Sequence, residues 1–200
     1  MFMPTLIRSE MRKLPLSFYQ NRDTVQLAKD LLGKELFTKT KEGITSGIIT
    51  ETEAYCGTTD RACHAFGNRR TARTEIMYQA GGVAYVYLCY GVHYLFNVVS
   101  NIENDPHAVL IRSLKPKLGI EIMKQRRGLL NENQLCNGPG KLTKALGIDK
   151  EHNKTSLIGD AVWIADTDLN PPFIVSARIG VGYAGEDALL PYRFCAVLEL

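Results

Sequence analysis

Apolar and polar positions alternate with a period of two over most of this chain, the spacing of half-buried strands. The clearest case is AYVYLCYGVHYLFNVV, residues 84–99. Tyr85 and Tyr87 fall on one face there, Val86 and Leu88 on the other, and Tyr90-Gly91 sits where a hairpin would turn. ELFTKT (35–40) and GITSGIITETEAY (43–55) read as two strands joined at Lys41-Glu42-Gly43, and HAVLIRSL (107–114) as another. DAVWIAD (160–166), FIVSARIGVG (173–182) and RFCAVLEL (193–200) complete the predicted strands.

Helical spacing is rarer. In NRDTVQLAKDLLGK (21–34), Val25, Ala28, Leu31 and Leu32 line one face. Asn21 is the expected N-cap, Asp23 lies in the first turn and Gly33 is the stop. TEIMYQA (74–80) predicts a short helix ended by Gly81-Gly82. Pro116 is expected in the first turn of a helix over KLGIEIMKQRR, and GPGKLTKALGI (138–148) repeats the pattern with Gly147 at its end. Runs of strands with few intervening helices predict an α+β fold, not a parallel βαβ sheet. There is no internal repeat or low-complexity linker. The expectation is one domain over residues 14–200, preceded by a loose arm over 1–13.

Composition narrows the class. The chain has 200 residues, 45% hydrophobic and 22% charged, with a net charge of +3. That is enough for one sizeable core. Mild basicity is compatible with nucleic acid without demonstrating it. Five scattered cysteines and no CxxC pair argue against a zinc site or a disulfide framework. The N-terminus lacks the apolar core of a signal peptide, and no apolar run reaches membrane-spanning length. A cytoplasmic protein with reduced thiols is expected.

The candidate chemistry starts in TETEAY. Glu51, Glu53 and Tyr55 share one face of the strand, either as a solvated surface or as a carboxylate beside an aromatic platform that activates water. His64 follows in a loop and gains meaning only if that loop folds back on Glu53. Arg61, Arg69, Arg70 and Arg73 form a basic loop that could be merely solvated or could contact phosphates. Lys141, at a predicted helix start, is a weak anion-binding hint. Arg112 ends an apolar strand and either reaches solvent or needs a carboxylate or phosphate. The glycines of RIGVGYAGE mark a bent strand or a close approach of main chain to ligand. The tyrosine-rich hairpin reads either as well-packed β structure or as a base-contacting element, with Tyr90 at the tip as an intercalating wedge, Tyr87 as a stacking platform and Asn97 as a base-edge reader.

In order, IITETEAY, CHAF, Arg-Arg-Thr-x-Arg, the tyrosine hairpin, VLIRSL, CNGPGKLTKALGI and ARIGVGYAGE closely resemble the alkyladenine (3-methyladenine) DNA glycosylase family. The resemblance runs from about Leu14 to the C-terminus and is to a compact bacterial-type member. It implies a monomeric α+β domain built on a curved, open-barrel-like antiparallel sheet with a protruding DNA-inserting hairpin. It implies excision of damaged purines, among them 3-methyladenine and 7-methylguanine, with hypoxanthine or ethenoadenine as further candidates. The partner would be double-stranded DNA approached from the minor groove, in the bacterial nucleoid, without metal or organic cofactor and without strand nicking.

By the same resemblance Glu53 is the general base for the attacking water, and Arg112 and the Ile179 carbonyl hold that water. Tyr55, His64 and Tyr87 sandwich the flipped base with Tyr85 behind them, and Asn97 excludes guanine. Tyr90 fills the gap in the duplex. Val92 departs from the bulkier residue usual beside it. Two rival readings are a non-catalytic damaged-DNA-binding protein, which leaves Glu53 without a role, and a small-molecule purine nucleosidase, which needs no exposed Tyr90.

Overall fold

The computed structural model describes residues 12–20 and 23–197. Its strands, all paired antiparallel, belong to one sheet that does not close into a barrel. They are β1 (Arg12–Lys13), β2 (Glu35–Thr40), β3 (Gly43–Tyr55), β4 (Ala84–Cys89), β5 (His93–Ser100), β6 (His107–Leu118), β7 (Val162–Asp166), β8 (Phe173–Ser176) and β9 (Arg193–Ala196). The main path runs β1-β7-β2-β3-β6-β5-β4, and β9 pairs with both β3 and β8. The α-helices are α1 (Leu16–Tyr19), α2 (Thr24–Asp30), α3 (Ile120–Arg127) and α4 (Pro139–Leu146). The α+β expectation holds.

The main core lies between one face of the sheet and the helices. It gathers Leu27 and Leu31 around α2, Met123 from α3, Leu142 and Leu146 from α4, and Phe96, Val98, Val109 and Ile111 from the sheet. Threonine hydroxyls tie the layers together. Thr52 donates to the Ala28 carbonyl at 2.7 Å, Thr143 to the Tyr94 carbonyl at 2.7 Å and Thr38 to the Leu146 carbonyl at 2.6 Å. These bonds pair side-chain hydroxyls with backbone carbonyls across the two layers. A second cluster packs the loop after β3 and the 3₁₀ turn Glu75–Tyr78 against Tyr85, Val99 and Ala108.

Two bulges decide which side chains of β3 and β6 share a face. Between Ile49 and Glu51 an extra residue enters β3, and between Ser113 and Ile111 an extra residue, Arg112, enters β6. A bulge reverses the period-two alternation beyond it. Ile49 and Ala54, of opposite parity, therefore both reach the helix-covered core, while Glu51, Glu53 and Arg112 meet elsewhere.

Several local expectations are corrected. Pro116 does not start a helix. It lies inside β6 opposite Gly47, beside a register shift, and α3 begins only after Gly119 with φ of 74°. β5 pairs with β6 only as far as Leu110, so the missing proline N–H breaks no ladder on that side. The strand expected over 173–182 stops at Ser176, and Gly182–Leu189 forms 3₁₀ turns. The strand expected over 193–200 is seen as Arg193–Ala196, with 198–200 outside the described residues. Arg12 and Lys13, expected in the arm, pair with Asp166 and Ala165, and residues 1–11 lie outside the described residues. Asn21 also lies outside them, and Asp23 is the N-cap of α2, accepting from the Gln26 N–H.

Phe96 is fully buried where the hairpin enters the main core. Phe96→Ala should cost about 3–5 kcal/mol, read as a lower urea midpoint with an unchanged slope.

Candidate active site

Glu53 is the centre of the site. Its side chain is 0% exposed, on the long strand β3. Oε1 accepts the Ile179 backbone N–H at 2.8 Å, and Oε2 accepts the Tyr55 hydroxyl at 2.8 Å and an Arg112 Nη1–H at 3.2 Å. Three donors on one buried carboxylate offset part of its desolvation. Burial still prevails and raises the Glu53 pKa above its ordinary value, against the pull of Arg112, the Ile179 amide and Tyr55. Arg112 also donates through Nε to Glu51 at 3.0 Å, and Arg193 Nε reaches the same oxygen at 2.6 Å. The arginine at the end of the apolar strand thus bridges two carboxylates. At Ile179, the group that meets Glu53 is the amide N–H.

Tyr55 and Tyr87 both pack half-buried against the loop cluster that contains Tyr85. His64 meets Tyr87 edge-on with ring centroids 4.8 Å apart, and its Nδ1 lies 2.8 Å from the Tyr85 hydroxyl. The loop histidine has folded back among the tyrosines. Burial first, then Arg73 and Arg69, lower its pKa to about 4, so the ring is neutral at physiological pH. Asn97 is buried opposite Tyr85 and donates through Nδ2 to the Tyr85 carbonyl at 3.1 Å.

The hairpin tip is built differently. Tyr90 and Gly91 both have positive φ, 51° and 70°, and the Val92 N–H closes the turn on the Cys89 carbonyl at 3.1 Å. Gly91 adopts this conformation freely, whereas Tyr90 is held in it at a cost of about 1–2 kcal/mol. Tyr90 is 92% exposed, and Leu88 and Val92 are exposed beside it.

The basic residues divide. Arg70 is held by both oxygens of Glu75 at 2.8 and 2.7 Å and lies over the Tyr78 ring. Arg73 turns into the aromatic cluster, 4.5 Å from the Tyr87 ring centroid, with Nε 3.3 Å from the Tyr85 hydroxyl and Nη2 3.2 Å from His64 Nε2. Arg69 is exposed. Lys141 reaches Asn137 at 3.0 Å near the start of α4. A groove of about 240 Å³ beside the hairpin is lined by Val92, His93, Tyr94, Gly140, Thr143 and Lys144. It is separate from the Glu53 cluster.

Sequence reasoning missed Arg178 and Asp60. The buried Arg178 guanidinium donates to the Asp60 carboxylate at 2.5 and 2.8 Å, and to the carbonyls of Ala54 and Asp187 at 2.9 and 3.0 Å. It also lies 4.9 Å from the Tyr55 ring centroid. The pair therefore fixes the segment whose next residue, Ile179, holds Glu53. The sequence separation of 118 residues between the partners leaves no local signal.

Comparison with known proteins identifies the family. The profile of the methylpurine-DNA glycosylase family matches residues 17–198. A protein of Chlamydia felis is 49% identical over 183 residues, covering 90% of this chain and 94% of the relative. One of Oceanobacillus iheyensis is 47% identical over 178 residues, covering 89% of each chain, and one of Bacillus licheniformis is 47% identical over 181 residues, covering 90% and 91%. All three carry 3-methyladenine DNA glycosylase as a provisional name. The chain belongs to the methylpurine-DNA glycosylase family. Its class is that of base excision repair hydrolases, which bind damaged DNA and cleave the N-glycosidic bond.

Asp60→Asn leaves the Arg178 charge buried against a neutral partner and should cost about 3–5 kcal/mol, measured by urea unfolding. Burial alone would raise the Asp60 pKa, but Arg178 and the Cys56 and Ala62 amides outweigh it and hold it below its ordinary value. The pair's stabilisation should be full above the carboxyl's unfolded-state pKa and fall away in acid as pH drops through the lowered folded value.

Proposed function

We propose that this protein flips a damaged purine out of duplex DNA from the minor-groove side, as a monomer, and hydrolyses its glycosidic bond with a water activated by Glu53. The observation that carries the reading is a fully buried carboxylate whose oxygens are fixed by Ile179, Tyr55 and Arg112 at the edge of an aromatic cluster. A binding module gains nothing from burying such a group, because desolvating it costs several kcal/mol. In its ionised form it accepts a proton from water aimed at C1′. Arg112 and the Ile179 main chain keep the carboxylate and the water in line.

Tyr55, His64 and Tyr87 form the walls for the base. A neutral imidazole suits a cationic 3-methyladenine or 7-methylguanine, which an imidazolium would repel. Asn97 stands beneath the walls as the group that opposes the guanine 2-amino group. The exposed Tyr90, held with positive φ, fills the space the base leaves, and Leu88 and Val92 flank it. Arg69 and Lys141 supply phosphate contacts. Flipping exposes a glycosidic bond that stacking otherwise shields. Water is the nucleophile, so the product is an abasic site in an intact strand.

End-labelled duplexes carrying one 7-methylguanine, hypoxanthine or normal adenine test the reading. Wild type should yield strand breaks only after alkali and only at a lesion, and Glu53→Gln should lose at least a hundredfold in rate. Tight lesion binding without abasic sites would instead indicate a binding protein. On 7-methylguanine, whose charge is fixed, the single-turnover rate should fall on the acid side with an apparent pKa above the ordinary 4.5, as Glu53 takes up a proton. Tyr90→Ala should weaken flipping, followed by fluorescence of a reporter base, more than binding to undamaged duplex. Equal losses in both would remove the wedge role.

A further inference from the structure

Glu53 shares its face of β3 with a second carboxylate. Glu51 stands two residues earlier, half-buried, and the bulge in β6 brings Arg112 against both. Arg112 gives Nε to Glu51 at 3.0 Å and Nη1 to Glu53 at 3.2 Å. A guanidinium facing a single carboxylate favours two parallel bonds, one to each oxygen. Here the Nε donor is engaged by Glu51, which fixes the guanidinium plane with Nη1 directed at Glu53. Glu51 is itself held from β9. Arg193 gives Nε to the same Glu51 oxygen at 2.6 Å and Nη1 to the Ser176 hydroxyl at 3.3 Å. A carboxylate accepts about four hydrogen bonds. Glu53 has three donors in place, from Ile179, Tyr55 and Arg112, with the Ile179 amide alone on Oε1. The remaining place on Oε1 is the one an attacking water needs, and a second arginine N–H would fill it.

We propose that Glu51 is a positioning residue for the hydrolysis: it turns Arg112 so that one N–H, and not a bidentate pair, reaches Glu53, which keeps Oε1 open to water. The inference rests on the glycosylase reading. A carboxylate locked in a bidentate arginine pair takes up a proton poorly and has no oxygen free to receive one from water. Glu51 also brings a second negative charge to the face. Burial raises the Glu53 pKa most, Arg112 lowers it, and Glu51 adds to the rise. The other groups around Glu53 are engaged. Tyr55 donates to Oε2, and Arg178 is paired with Asp60 beside the Tyr55 ring. Arg193, opposite Glu53 in register, is turned to Glu51, and Cys195, opposite Glu51, has a thiol pKa raised by burial. Loss of the Glu51 charge removes a like charge and leaves Arg112 to act on Glu53 alone. Both changes lower the Glu53 pKa and weaken it as a base.

The test is single-turnover excision of 7-methylguanine across pH by wild type, Glu51→Gln, Arg112→Met and the double variant. Glu51→Gln keeps the shape and loses the charge. It should lower the plateau rate about tenfold, leave the protein concentration for half-maximal rate within about twofold, and move the acid limb to lower pH. A slower plateau with an unmoved limb would make Glu51 a structural hub and overturn the inference, as would a limb moved to higher pH. In the Arg112→Met background the same substitution should cost less than about twofold. An equal tenfold loss in both backgrounds would show that Glu51 does not act through Arg112. Carboxyl NMR of the free protein, with the Glu53 signal assigned by its loss in Glu53→Gln, reads the same shift without activity and decides the matter if Arg112→Met fails to fold. The Glu53 midpoint should fall in Glu51→Gln, and an unmoved midpoint would refute the inference. Those failures in a protein that excises 7-methylguanine and stops doing so in Glu53→Gln would leave the glycosylase reading intact. Wild type inert on the lesion would overturn the two together.

Discussion

The site depends on keeping a carboxylate out of water. Glu53 is fully buried, and an ion in that position is tolerable only when fixed donors replace its hydration. Those donors come from far apart in the chain. Tyr55 is two residues away on the same strand, Arg112 arrives on β6, and the Ile179 amide comes from the segment after β8. Much of the sheet geometry serves this convergence. The bulge at Arg112 turns an arginine that regular pleating would aim elsewhere onto the face of Glu51 and Glu53. The buried Arg178–Asp60 pair holds the backbone that presents the Ile179 N–H.

The two ends of the hairpin divide the work. At its base, Tyr85 and Tyr87 pack inward with His64, while Val86 and Phe96 enter the core under the helices. At its tip, an aromatic side chain stands in solvent on a turn that disfavours it. The interior tyrosines and the exterior one thus belong to a single hairpin, packed at its base and exposed at Tyr90.

Charge is distributed with similar economy. Arg112 and Arg193 are spent on Glu51 and Glu53, Arg70 on Glu75, and Arg178 on Asp60. A chain with a modest net charge of +3 therefore offers DNA fewer uncommitted cations than its arginine-bearing loop suggests.

Period-two patterning placed the hairpin, β2, β3 and β7, and Gly147 marked the end of α4, because alternation and positive φ are local properties of the chain, whereas α2 ends at Asp30, short of the expected stop at Gly33. The motif order also pointed to Glu53, Tyr55, His64 and Tyr87 as a set. The sequence could not place Pro116 within a strand, because that depends on a free edge beyond Leu110 supplied by another strand's end. Nor could it separate Arg73, stacked on Tyr87, from Arg70, paired with Glu75, since both stand in one short basic run. The Asp60–Arg178 pair was hidden because its partners stand 118 residues apart. Backbone preference and alternation act between neighbours and are written in the sequence. Desolvation of a charge, and the choice of donors that answer it, is decided by what the folded chain brings within about 3 Å, and only the tertiary structure makes that choice.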